Sequence, residues 1–182
     1  MYDFVVVHGS YGSPFENWFP WLFSELSNMG KNVLAPQFPC GKGIQNYENW
    51  EKVLDSYSAL IDENTTFIGH SLAPAFIVDY ILSRKIKVNK LVFAAPFYDL
   101  IDISEFDEVN SPFFFMENLD LITEYSKDRI CFISDNDPYV PNQLSTDFTK
   151  KIQGKIKIVN NAGHFNTSSG FSKFELLLNE LK

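Results

Sequence analysis

Cysteine is scarce in this chain, and positive charge is outweighed. The two cysteines, Cys40 and Cys131, are too few for a disulfide framework or a cysteine-based zinc site. Cys131 lies inside an apolar run and reads as core, whereas Cys40 sits between Pro39 and Gly41 in a loop. Fifteen Lys and Arg stand against 23 Asp and Glu, a net charge of −8. Phosphates would be repelled, which argues against nucleic acid as a partner. No apolar run approaches the roughly 20 residues of a membrane span, so no membrane partner is expected. Met1-Tyr2-Asp3 lacks the basic segment of a signal peptide, and the cytoplasm is the expected location. There is no repeat, low-complexity tract or linker. The length fits one domain over residues 1–182. Phenylalanine, in contrast, is unusually frequent, with 18 residues.

What is present is an alternation of strand and helix patterns. Asp3 to His8 reads as a buried strand: short, β-branched and apolar. It runs into Gly9-Ser10-Tyr11-Gly12-Ser13-Pro14, a loop of turn residues whose backbone N–H groups could hold an anion. Trp18 to Leu26 opens a helix that Gly30 ends. Asn32 to Ala35 is a short strand. Asn46 to Ile61 reads as a helix with Trp50, Val53, Leu54 and Tyr57 on one face. Thr65–Gly69, Lys90–Ala94, Arg129–Ser134 and Lys155–Val159 are further strands. Helices are expected up to Ser83, from Asn142 to Lys151 and from Phe171 to Lys182. Alternation of this kind implies a parallel sheet with helices on both faces. From Ala95 to Asp128 the pattern loosens into acidic residues and the cluster Phe113-Phe114-Phe115. A connection this long is often functional, and it reads as one wall of a pocket.

The chain is organised around Thr65 to Ile77. An apolar run ends in Gly69, Ser71 follows two residues on, and small residues lead into a helix. A serine on a tight strand-to-helix turn is a nucleophile elbow. The turn lifts the hydroxyl clear of the sheet and puts it at a helix N-terminus, where negative charge is favoured. The second small position is Ala73, where the usual pattern has glycine.

Two more candidate residues stand past strand ends in the order Ser71, then Asp135 or Asp137, then His164. A serine needs an adjacent base to become a nucleophile. A histidine can take that proton and return it, and a carboxylate fixes the imidazole tautomer. His8, His70 and His164 show no metal-ligand spacing, so neither a metal nor a cofactor is called for.

At this point the sequence resembles a family. Val7-His8-Gly9-Ser10, Asn17 to Leu22 (Asn-Trp-Phe-Pro-Trp-Leu), Ile68 to Ala73, Ser134 to Pro141 and Ala162-Gly163-His164-Phe165 resemble the small serine hydrolases typified by retinoblastoma-binding protein 9 and YdeN. The resemblance spans nearly the whole chain. It implies a minimal α/β-hydrolase fold: a six-stranded parallel sheet of order 2-1-3-4-5-6 without a large cap. It also implies Ser71 as nucleophile, Asp137 as acid and His164 as base. The oxyanion hole would use the backbone of Leu72 and of Ser10 or Tyr11. The reaction expected is hydrolysis of a carboxylic ester, thioester or amide through an acyl-serine. Aromatic residues Trp18, Trp21, Phe97 and Phe113 suggest a pocket wall suited to an apolar acyl group. The reading from another class is a binding module that keeps the fold without activity, against which an intact triad argues.

Overall fold

The computed structural model describes all 182 residues. Six parallel strands form one sheet: β1 (Phe4–Val7), β2 (Val33–Leu34), β3 (Thr66–His70), β4 (Val88–Ala94), β5 (Ser126–Ser134) and β6 (Lys155–Val159). Their order is β2-β1-β3-β4-β5-β6, as the sequence led one to expect. The helices are α1 (Phe19–Asn28), α2 (Tyr47–Asp55), α3 (Ala73–Arg84), α4 (Ser104–Asn110), α5 (Asn142–Lys151) and α6 (Glu175–Asn179). None is long and apolar enough to cross a membrane.

The strand period of two explains the two cores. Along β1, Phe4 and Val6 point to one face and Val5 and Val7 to the other. The first face is covered by α1 and α6, through Phe19, Leu22, Leu26, Phe174 and Leu177. The second is covered by α2, α3 and α5, through Trp50, Leu54, Phe76, Ile77 and Phe148. Burial on both faces is why β1 is apolar without alternation. Pro74 sits in the first turn of α3, where no N–H is needed.

Two helices are shorter than their patterns suggest. The one expected to reach Ile61 stops at Asp55. There Ser56 Oγ donates to the Lys52 carbonyl at 3.1 Å and Ser58 Oγ to that of Asp55 at 2.8 Å, so side chains compete for the helix's acceptors. The last helix begins only at Glu175. Phe174 before it is non-helical, with φ −135° and ψ 72°, and stacks on Phe165 at 5.1 Å.

The segment from Ala95 to Tyr125 contains α4 and short 3-10 turns. Its three phenylalanines part company: Phe113 is fully buried, whereas Phe115 is exposed. A buried carboxylate ties the segment down. Asp79, on α3, receives the Tyr98 hydroxyl on both oxygens, at 2.9 and 2.8 Å. Tyr98 oxygen in turn accepts from Met116 N at 2.7 Å. Burial pushes the Asp79 carboxyl up to about 8.

The chain starts in the sheet interior, steps out to β2, then reverses through β3 to β6. The reversal lies between β1 and β3, and in open sheets of this kind ligands sit outside the strand C-termini at such a point. The loops after β1 and β3 therefore meet there.

Candidate active site

Ser71 follows β3 directly with φ of 61°, the strained left-handed conformation of an elbow serine. The turn is possible because Gly69 has no side chain. A Cβ there would lie 2.8 Å from Ile77 Cδ1 and 3.2 Å from Pro74 Cδ. Gly9 serves the opposite wall in the same way, since its Cβ would lie 2.8 Å from Ser71 Cβ. Small residues at 9 and 69 thus let two loops close around one hydroxyl.

His164 lies in the loop after β6. Its Nε2 is 3.0 Å from Ser71 Oγ and its Nδ1 is 2.7 Å from Asp137 Oδ2. The other Asp137 oxygen accepts from Tyr139 N at 2.9 Å and Val140 N at 3.0 Å. Asp135 does not touch the imidazole. Its Oδ1 accepts from Asn161 N at 2.7 Å, and Asn136 Oδ1 accepts from Gly163 N at 2.8 Å. The run Asp135-Asn136-Asp137 therefore grips the His164 loop at three points. The part played by Asn136 was missed from sequence, although its place between two carboxylates after a strand hinted at it.

The other two histidines position loops. His8 Nε2 accepts from Phe38 N at 3.0 Å, which leaves the proton on Nδ1 to donate to the Gly9 carbonyl at 2.9 Å. Burial holds its pKa below the usual histidine value. His70 Nε2 donates to the His164 carbonyl at 2.8 Å. Complete burial pulls its pKa down to about 3, so it stays neutral. Burial pushes the Cys40 thiol up to about 11 and that of Cys131 to about 12, so neither offers a competing thiolate nucleophile near neutral pH.

Leu72, Ser10 and Tyr11 were the backbone donors expected at an oxyanion hole, and Ser71 N lies beside them. Ser71 N is taken by the Ala94 carbonyl at 2.9 Å. Tyr11 N already donates to Gln45 Oε1 at 3.0 Å. Leu72 N and Ser10 N donate to no protein acceptor, so these two are the open pair beside Ser71. Gln45, a buried residue that the sequence reading passed over, is what separates Ser10 from Tyr11.

A cavity of about 240 Å³ opens over Ser71 and His164, small beside the roughly 300–1,000 Å³ of drug-sized pockets. Phe97 lines it, together with Ile101, Phe106, Tyr139 and Val140. Trp18 and Phe113 do not. Both are fully buried, Trp18 in the core under α1 and Phe113 in the core under α2 and α3. Trp18 Nε1 donates to the Phe165 carbonyl at 2.9 Å, so the ring is spent on holding the His164 loop. Trp21 packs on the same core as Trp18. The remaining lining is mainly polar and includes Ser10, Glu16, Asn17, Asn110 and Asn166. Of the expected aromatic wall, Phe97 alone lines the cavity, while Trp18, Trp21 and Phe113 are taken up by core packing.

A six-stranded parallel sheet in this order, with a serine elbow after its third strand, defines an α/β-hydrolase fold. The comparisons with known proteins narrow this. The serine hydrolase family model matches residues 4–182, and the chain belongs to that family. It is a hydrolase. It is 27% identical over 181 residues to the Bacillus subtilis (strain 168) protein YdeN, covering 97% of this chain and 92% of that one. The crystal structure of YdeN superposes with a TM-score of 0.88 at 23% identity, covering 100% of this chain and 97% of that chain. A YdeN-like hydrolase from Pectobacterium atrosepticum gives 0.71 at 18% identity, over 98% and 87% of the two chains. A structure in a study of carboxylesterases from the thaumarchaeon Nitrososphaera gargenis gives 0.73 at 12% identity, over 99% and 88%. At such identities the solved structures speak for the fold.

Proposed function

We propose that this chain hydrolyses carboxylic esters through an acyl-Ser71 intermediate, with His164 as base and Asp137 as its orienting acid. Thioesters and amides present the same carbonyl chemistry. The observation that carries the reading is the unbroken line from Ser71 Oγ to His164 Nε2 at 3.0 Å and from His164 Nδ1 to Asp137 Oδ2 at 2.7 Å.

In this reading Asp137 accepts the Nδ1 proton, so Nε2 carries the lone pair that faces Ser71. Oγ attacks the carbonyl carbon as its proton passes to Nε2. Negative charge then builds on the carbonyl oxygen, where the N–H groups of Leu72 and Ser10 stand open. Preorganised donors of this kind are worth roughly two to three orders of magnitude each. The imidazolium hands its proton to the leaving alcohol, and the acyl group stays on Ser71. Water then repeats the sequence with His164 again as base, releasing the acid and restoring the serine.

The test is Ser71→Ala assayed with p-nitrophenyl acetate and a fluorophosphonate probe. Hydrolysis and labelling should both vanish while circular dichroism is unchanged. Residual turnover of a tenth of wild type would place the chemistry elsewhere.

A further inference from the structure

One buried polar side chain faces the cavity with a donor to spare. Asn110 is the last residue of α4 and is 1% exposed. Its Oδ1 accepts from the Ser10 hydroxyl. Its Nδ2 has no acceptor in the protein, yet it is not sealed in. The unpartnered side-chain atoms that are closed off from solvent are Gln45 Nε2 and Arg129 Nε. Asn110 lines the cavity alongside Ser10 and Ser71, so the opening available to Nδ2 is the cavity itself. Oδ1 is committed to Ser10, which fixes the amide with its N–H groups toward that space.

The direction of reaction says which part of a substrate meets it. The leaving group must face His164 Nε2 to receive its proton, and the carbonyl oxygen must face Leu72 N and Ser10 N. The acyl chain is left with the remaining lining, which includes Asn110, bonded to Ser10, together with Phe97 and Ile101. A hydrocarbon chain there would strip water from Nδ2 and give nothing back. An acyl chain with an oxygen acceptor would replace that water. Unpaired polar groups in a site discriminate more strongly than a missing methylene does.

Resting on the hydrolase reading above, we infer that Asn110 is a specificity-determining residue, and that the site selects short acyl groups carrying a hydrogen-bond acceptor a few atoms from the carbonyl. This replaces the apolar acyl group suggested by the aromatic content of the sequence.

The test compares p-nitrophenyl 3-methoxypropanoate with p-nitrophenyl pentanoate, which match in chain length and differ by one ether oxygen. Each kcat/KM is divided by the ester's own hydroxide rate. The wild-type ratio should favour the ether by about tenfold, the size of one good hydrogen bond. In Asn110→Leu the preference should disappear. Asn110→Asp retains an acceptor for Ser10 but loses the amide donor, so the preference should disappear there too, even if the leucine variant folds poorly. A wild-type ratio near one, or favouring pentanoate, overturns the inference. So does a parallel fall of both esters with the ratio kept, because Asn110 would then only brace the Ser10 loop. Failure of the hydrolase reading itself would appear separately, as undiminished turnover by Ser71→Ala.

Discussion

Asp137→Asn tests the role proposed for this acid, because the structure dictates how the new amide must sit. One carboxylate oxygen of Asp137 accepts from Tyr139 N and Val140 N, and the other faces His164 Nδ1. In the variant a single oxygen remains. Turned toward the two backbone N–H groups, it places the NH2 against Nδ1, which must then act as acceptor. The imidazole proton moves to Nε2, and the base can no longer take a proton from Ser71. Turned the other way, the amide leaves both N–H groups without an acceptor. Val140 is 1% exposed, so its stranded N–H costs about 1–3 kcal/mol, whereas that of Tyr139 costs less because water reaches it. The productive orientation is therefore disfavoured by roughly 5- to 150-fold. The imidazolium formed during reaction also loses its negative partner, and charge-assisted bonds are about twice as strong as neutral ones. Together these predict a fall in kcat of about two to four orders of magnitude, the upper end being the loss seen for the same change in a serine protease. The assay is kcat on p-nitrophenyl acetate beside the rate of fluorophosphonate labelling, with both falling together. A variant within tenfold of wild type would refute the tautomer argument.

Asp135→Asn should lose less than about tenfold by the same assay, because an amide oxygen can still accept from Asn161 N, and a larger loss would mean that its charge matters. Gly9→Ala should cost at least about 100-fold in kcat/KM, since the new Cβ would lie 2.8 Å from Ser71 Cβ and displace the reacting hydroxyl; near-wild-type turnover would show that the loops yield freely. Asp79 should make stability depend on pH. Its folded pKa of about 8 lies above its ordinary value, so the native state retains a proton that the unfolded chain gives up, and stability falls as pH rises from about 4 to about 8. The slope is at most about 1.4 kcal/mol per pH unit. Melting curves of Asp79→Asn should therefore pull ahead of wild type across that range, and parallel curves would refute the shift.

The sheet was legible because the inner strands carry short apolar runs and the exposed edge strand β6 alternates Lys and Ile, each ending at turn residues. The elbow and the His164 loop were legible for the same reason. The choice between Asp135 and Asp137 needed three dimensions, since both follow β5 and both reach the His164 loop, one to backbone and one to the ring. The aromatic residues misled because a ring carries no mark of which surface it faces. Trp18 and Phe113 are as apolar as Phe97, yet packing consumed them. Asn110 left almost no trace in the sequence. It follows Phe106 and Val109 on a short acidic helix, and only the fold brings it 100 positions back to Ser10. Helix ends were misplaced where local side-chain bonds, as at Ser56 and Ser58, outweighed a periodic apolar face.

The bond from His70 to the His164 carbonyl means that the residue preceding Ser71 carries the residue proposed to activate it. Ser71 and His164 are thereby joined by one peptide link and one hydrogen bond. The junction is insensitive to acid, because His70 takes no proton until about pH 3. The bond between the two loops should therefore stay made in mild acid, where His70 remains neutral.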